Sequence, residues 1–125
     1  MNSVLPLLAA FGVLGVFVRY GLAPLNAAGP WPWGTFLANL LGCFLMLLVF
    51  TIKGDRLPPR WALVLAVGLL GGMTTFSSYL LELYQMASQG KWGLFGAYLI
   101  GTHLAAFAVG FGGVVLGRAM TVAPE

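Results

Sequence analysis

Residues 71–79 read GGMTTFSSY, setting two glycines, two threonines and two serines inside a strongly apolar stretch. Adjacent glycines followed by β-branched threonines are poor helix formers, so a helix running through this stretch is expected to break there. A break uncovers backbone carbonyls and N–H groups: carbonyls suit a small cation, whereas N–H groups and hydroxyls suit an anion. Past the break, Phe76 and Tyr79 are three residues apart and share a helical face. An aromatic ring has a partly positive edge. Two such edges, with donors such as Asn39, Ser77 and Ser78, could hold an anion that has no counter-charge nearby. Core packing is the ordinary reading of two rings at this spacing, and the polar break beside them brings a binding role level with it.

Other polar residues fall into stripes. Thr35, Asn39 and Cys43 recur every four residues, as do Tyr98 and Thr102, with His103 turned about 100° from the latter. Taken singly, Asn39 is as well explained by an interhelical hydrogen bond as by a transport role. His103 reads better as a neutral imidazole that is packed or faces a vestibule, because no second ligand or carboxylate accompanies it at helical spacing. Arg19 stands near the end of its segment, where a long side chain can snorkel to the interface.

These residues must be positioned by elements that lie in lipid. Of the 125 residues, 60% are hydrophobic and 7% charged, and the mean hydropathy is +0.95, whereas soluble domains carry roughly a quarter charged residues. A bilayer core is crossed by about 20 mostly apolar residues. Four segments qualify, at roughly 4–22, 33–52, 61–86 and 92–118, leaving a single four-helix transmembrane domain over 1–125 and almost nothing for a soluble one. Short loops with Pro24, Pro30 and Pro32, with KGDRLPPR and with SQGK separate them. Trp31, Trp33, Trp61 and Trp92 all fall at segment starts, as interfacial indoles do. The first segment lacks a basic leader and is followed by further spans, so it reads as a retained helix rather than a cleaved signal. Lys53, Arg56, Arg60 and Arg118 lie on one face and Arg19 and Lys91 on the other, a small bias towards cytoplasmic termini that leaves both orientations accessible.

Small residues recur every four positions in two spans, Gly34, Ala38 and Gly42 in the second and Gly93, Ala97, Gly101 and Ala105 in the fourth. Such faces let helices approach closely, equally well within a subunit or between subunits. Four short spans enclose little volume, which points to a dimer or larger assembly. The single cysteine excludes an intrachain disulfide. No Cys/His cluster, phosphate-binding loop or catalytic triad is present, so neither an enzyme nor a nucleic-acid-binding protein is expected.

GTFLANLLGCF (34–44), GGMTTFSSY (71–79) and VRY (18–20) together resemble the Fluc (CrcB) family of fluoride channels, in order and over the whole chain length. The resemblance implies an all-α membrane protein with four transmembrane helices per subunit and a third helix broken near the bilayer centre. It also implies an antiparallel, dual-topology homodimer in the cell inner membrane, in contact with membrane lipid. A structural sodium ion (Na+) at the dimer interface would be held by the carbonyls of Gly71 and Thr74. Asn39, Phe76, Tyr79, Ser77, Ser78, Tyr98 and Thr102 would line the anion pore, Arg19 would stand at the vestibule, and Glu82 matches a carboxylate one turn past the aromatic pair. Where the family has a second phenylalanine this chain has Tyr79, and His103 has no counterpart in the pattern. The implied function is passive export of cytoplasmic fluoride, protecting the cell from its toxicity. A small multidrug-type, proton-coupled exporter is the alternative, but it needs a carboxylate in the first span, which has no Asp or Glu. A purely structural assembly subunit would account for the glycine faces and leave the polar break unexplained.

Overall fold

The computed structural model describes residues 4–52 and 56–121. Lys53, counted above in the charge bias, lies outside the described residues. Helix α1 (Leu5–Leu22) has a proline in its first turn and runs on into a 3-10 turn, Ala23–Ala27, as suits a residue that lacks the N–H a first turn leaves unused. α2 (Trp33–Ile52) follows the proline-rich loop. The third run starts as α3 (Pro59–Leu63), widens into a π-helical segment at Val64–Leu70 and ends as α4 (Gly71–Met73). Thr74 and Thr75 have extended backbones, after which α5 (Phe76–Ser88) begins. A turn with Gly90 at φ +71°, a conformation that favours glycine, leads to α6 (Trp92–Thr121).

Among the described residues four runs, Leu5–Ala27, Trp33–Ile52, Pro59–Ser88 and Trp92–Thr121, are long and apolar enough to cross a membrane. The third is the most buried and the first the least. α6 packs chiefly on α2, while α1 lies along the π-helical segment and α4. Glycines make both seams. A Cβ at Gly15 would strike the Leu69 carbonyl and the Met73 nitrogen, and one at Gly72 would strike the Gly12 carbonyl. With lipid as apolar as any side chain, such backbone-to-backbone contact is what holds membrane helices together.

The two small-residue faces read from the sequence have different fates. Gly34, Ala38 and Gly42 are buried inside the chain, and a Cβ at Gly42 would collide with the Thr74 methyl. On α6, Gly93 and Ala97 are exposed, and the seam with α2 is made further along by Gly110, Gly113 and Gly117 against Leu47, Phe44 and Thr51. Those three glycines are spaced three and four apart and straddle a helical stripe, so a strict four-residue spacing passes over them. Tyr79, Leu83, Met86 and Tyr98 form a core between α5 and α6, closed by Trp31 and Phe36. The rings of Trp31 and Tyr98 meet edge to face at 5.1 Å.

Candidate functional site

The interruption after α4 is organised by Asn39 on α2. Thr74 (φ −82°, ψ 154°) and Thr75 (φ −150°, ψ 115°) leave the helical path, so their backbone groups need other partners. Thr75 N–H donates to Asn39 Oδ1 at 2.7 Å, and Asn39 Nδ2 donates to the Thr75 carbonyl at 3.0 Å. One side-chain amide thus serves both groups of an extended residue, as a neighbouring strand would. Thr75 then caps α5: its Oγ1 accepts from Ser78 N–H at 3.2 Å and donates to Ser78 Oγ at 3.0 Å, with Ser77 Oγ 3.3 Å away.

This arrangement releases two carbonyls. In an unbroken helix Gly71 O would receive the Thr75 N–H and Thr74 O the Ser78 N–H; here the first goes to Asn39 and the second to Thr75 Oγ1. Thr74 itself ends the helix, sending both N–H and Oγ1–H to the Leu70 carbonyl at 3.0 and 2.9 Å. Gly71 is exposed on the chain. Two freed, neutral oxygen donors fit a hard monovalent cation; among the described residues no group of three His, Cys, Asp or Glu could hold a metal instead.

On the other side of the interruption opens a cavity of about 530 Å³, lined by α2, α5 and α6. Asn39, Thr75, Phe76, Tyr79, Thr102 and His103 contribute to its wall, and among its lining residues none is Asp, Glu, Lys or Arg. Phe76 is 71% exposed, and its ring sits 5.9 Å from that of buried Tyr79 at 46°. The Thr102 hydroxyl is buried without a hydrogen-bond partner, a costly state for a hydroxyl unless something else binds it.

A second polar cluster lies one helical turn along α5. Glu82 accepts from Thr35 Oγ1 at 2.5 Å and from Tyr98 Oη at 2.7 Å. Asn26 in turn holds Thr35, accepting from its N–H at 3.1 Å and donating to its hydroxyl at 3.3 Å. Four elements are tied together at this end, where Asn26, Glu82, Gln85 and Lys91 line a smaller cavity of about 270 Å³.

Of the residues singled out in the sequence, Asn39, Phe76, Tyr79 and Thr102 come together around the larger cavity. Ser77 and Ser78 stand at the Thr75 cap, and Tyr98 is fully buried with its hydroxyl on Glu82. Arg19, half-buried in the last turn of α1, lines neither cavity. Thr75 and Asn26 carry much of the bonding and were not among the expected site residues. Thr75 was discoverable as the second threonine of the break; Asn26 sits in the apolar 3-10 turn Ala23–Ala27 with no spacing to mark it.

A family model described as CrcB-like protein, Camphor Resistance (CrcB), matches residues 6–117. The chain is 42% identical to a fluoride-specific ion channel FluC of Phenylobacterium zucineum over 122 residues, 93% of this chain and 96% of the relative. It is 38% identical over 124 residues to the protein of that name from Caulobacter vibrioides, covering 94% and 97% of the two chains. With that of Koribacter versatilis the identity is 35% over 114 residues, covering 87% and 90%.

Proposed function

The chain belongs to the CrcB-like family, and we propose that it is a fluoride-selective ion channel that lets cytoplasmic fluoride leave the cell passively and so limits its toxicity. The observation that carries the reading is the cavity beside the interruption. It is walled by an amide, hydroxyls and aromatic rings, contains a buried hydroxyl without a partner, and has no charged lining residue among those described. Fluoride is small and tightly hydrated. Removing its water requires closely spaced donors, and a narrow path of neutral donors and ring edges offers them without trapping the ion as a fixed cation would. Asn39 Nδ2 gives one N–H to Thr75; an amide nitrogen has a second, which would meet the anion. The relatives' name supports fluoride as the ion.

The energetics suit a channel. HF crosses lipid from acidic surroundings and ionises in a less acidic cytoplasm, and a negative-inside potential drives the trapped anion out with about 2.3 kcal/mol per 100 mV. We place the protein in the cell inner membrane as a single four-helix domain, with the interruption near the bilayer centre, where bare backbone must be enclosed by protein or line a cavity or ion site. Two copies in antiparallel orientation would bring together the exposed small-residue face of α6 and the freed carbonyls of Gly71 and Thr74. Those carbonyls would hold a sodium ion, which would supply a fixed positive charge where the copies meet. Arg19, Ser77, Ser78 and Tyr98 would border the aqueous approach and the polar track. The proton-coupled exporter is left without support, since no carboxylate lines the cavity and the relatives are named as channels.

The test is fluoride efflux from potassium-loaded liposomes with valinomycin clamping the potential, followed with a fluoride electrode. Rapid release of fluoride without chloride is expected. Well-folded protein that releases neither ion would overturn the channel, and equal release of both would overturn its selectivity.

A further inference from the structure

His103 is the chain's one histidine, exposed on α6 and lining the same cavity as Asn39 and Phe76. Its Nδ1 lies 2.7 Å from the Leu99 carbonyl. A carbonyl can only accept, so Nδ1 carries the proton and a neutral ring keeps its lone pair on Nε2. Tyr79 Oη is 3.4 Å both from that carbonyl and from Nδ1, with the rings 5.9 Å apart at 65°. The two positions at which this sequence departs from the expected pattern therefore meet in space. One residue before the histidine, Thr102 is only 7% exposed and its hydroxyl is buried and unpartnered.

The cavity is electrically plain. Its other titratable groups are Cys43 on α2 and Tyr79 on α5, neither of which can become a cation, and Glu82 is turned towards Thr35 and Tyr98. An imidazole is thus the only lining group among the described residues able to acquire positive charge. A positively charged ring and an anion held beside it stabilise each other, which couples proton and anion binding.

Resting on the fluoride-channel reading, we propose that His103, with Tyr79 and Thr102 beside it, forms a protonation-controlled anion station in the pathway. In the neutral ring Nε2 presents a lone pair that repels fluoride. On protonation Nε2 becomes an N–H donor bearing positive charge, while Nδ1 keeps its bond to Leu99. The unpartnered Thr102 hydroxyl adds a neutral donor to the same wall. Acidification therefore raises anion occupancy, and by reciprocity fluoride raises the proton affinity of His103.

Because the chain has a single histidine, protein labelled with 15N-histidine reports this ring alone. Its ring resonances in lipid nanodiscs would be followed from roughly pH 5 to 8, the window in which histidines ordinarily titrate, in fluoride and in gluconate at equal ionic strength. The expected result is a midpoint higher in fluoride by about 0.7 pH units or more, the fivefold lower end of ordinary coupling between sites. Equal midpoints would overturn the station. Planar-bilayer fluoride currents at low fluoride supply the second readout: they should rise severalfold between the alkaline and acidic ends of that window in the wild type and stay flat in His103→Gln. Wild-type currents that are large and flat with pH overturn the station and leave the channel standing. No fluoride current at any pH, with a fluoride-dependent midpoint still present, keeps the binding station and sinks the channel.

Discussion

The two sides of the interruption present opposite chemistry although they are separated by two residues. On the α4 side, the helix ends in carbonyls whose N–H partners have been diverted, with glycines in place of side chains. On the α5 side, a helix begins with a threonine cap, two serines and two rings. Any helix end leaves acceptors at its C-terminus and donors at its N-terminus. Setting two ends back to back inside a membrane therefore makes a cation-seeking and an anion-seeking surface at once. Asn39 stands between them, since its one amide completes Thr75 and thereby frees Gly71.

Asn39→Asp should break the comparison on both sides and have the largest effect. A carboxylate can still accept from Thr75 N–H, but it has nothing to donate to the Thr75 carbonyl and places charge against it. Leaving one buried backbone group unpaired costs about 1–3 kcal/mol. Fluoride efflux should be abolished and thermal stability in detergent lowered together. Unchanged melting with lost efflux would mean that the clasp is not what holds the interruption open.

Phe76→Ile should separate the sides. The ring is mostly exposed on the single chain and contributes little to its core, so folding and assembly, read by size exclusion and melting, should be retained while fluoride efflux is lost. A purely structural role for the ring predicts the reverse pattern, impaired assembly with residual flux.

Thr75→Val is a smaller perturbation confined to the α5 side. It removes the cap on Ser78 N–H and the bond to Ser78 Oγ while leaving the backbone clasp with Asn39. Loss of an N-cap costs about 0.5–2 kcal/mol. Efflux should fall without vanishing, and the melting temperature should drop by less than in Asn39→Asp. A loss equal to that variant's would mean that the hydroxyl, and not the amide, sets the geometry.

The four spans were legible because hydropathy over about 20 residues is an averaged property that no single contact can overturn. The glycine-rich stretch likewise announced a change of path through helix propensity alone. What escaped the sequence was partnership. Thr35, Asn39 and Cys43 read as one stripe, yet Thr35 is bound to Glu82, Asn39 to the backbone of Thr75, and Cys43 faces the cavity. Periodicity fixes which residues share a face, but not which of several donors on a facing helix each will meet. The α6 seam shows the same limit: Gly110, Gly113 and Gly117 became the contact because they oppose Leu47, Phe44 and Thr51, a register that neither helix's own pattern carries.

Tyr79→Phe sharpens the comparison most finely, because it leaves the aromatic edge and removes one oxygen from the α5 side. The hydroxyl contacts to Leu99 and His103, both at 3.4 Å, lie at the long end of hydrogen-bond distances, and the Leu99 carbonyl keeps its 2.7 Å bond from His103. No buried acceptor is left bare, so the stability change should stay within about 1 kcal/mol. Efflux should persist at a rate near that of the parent if ring edges and the Asn39 amide carry the anion past this point. A large fall in flux with unchanged melting would instead make the phenol itself a donor in the path, and the positive edge of the ring would cease to be a sufficient account of how an anion passes without a counter-charge.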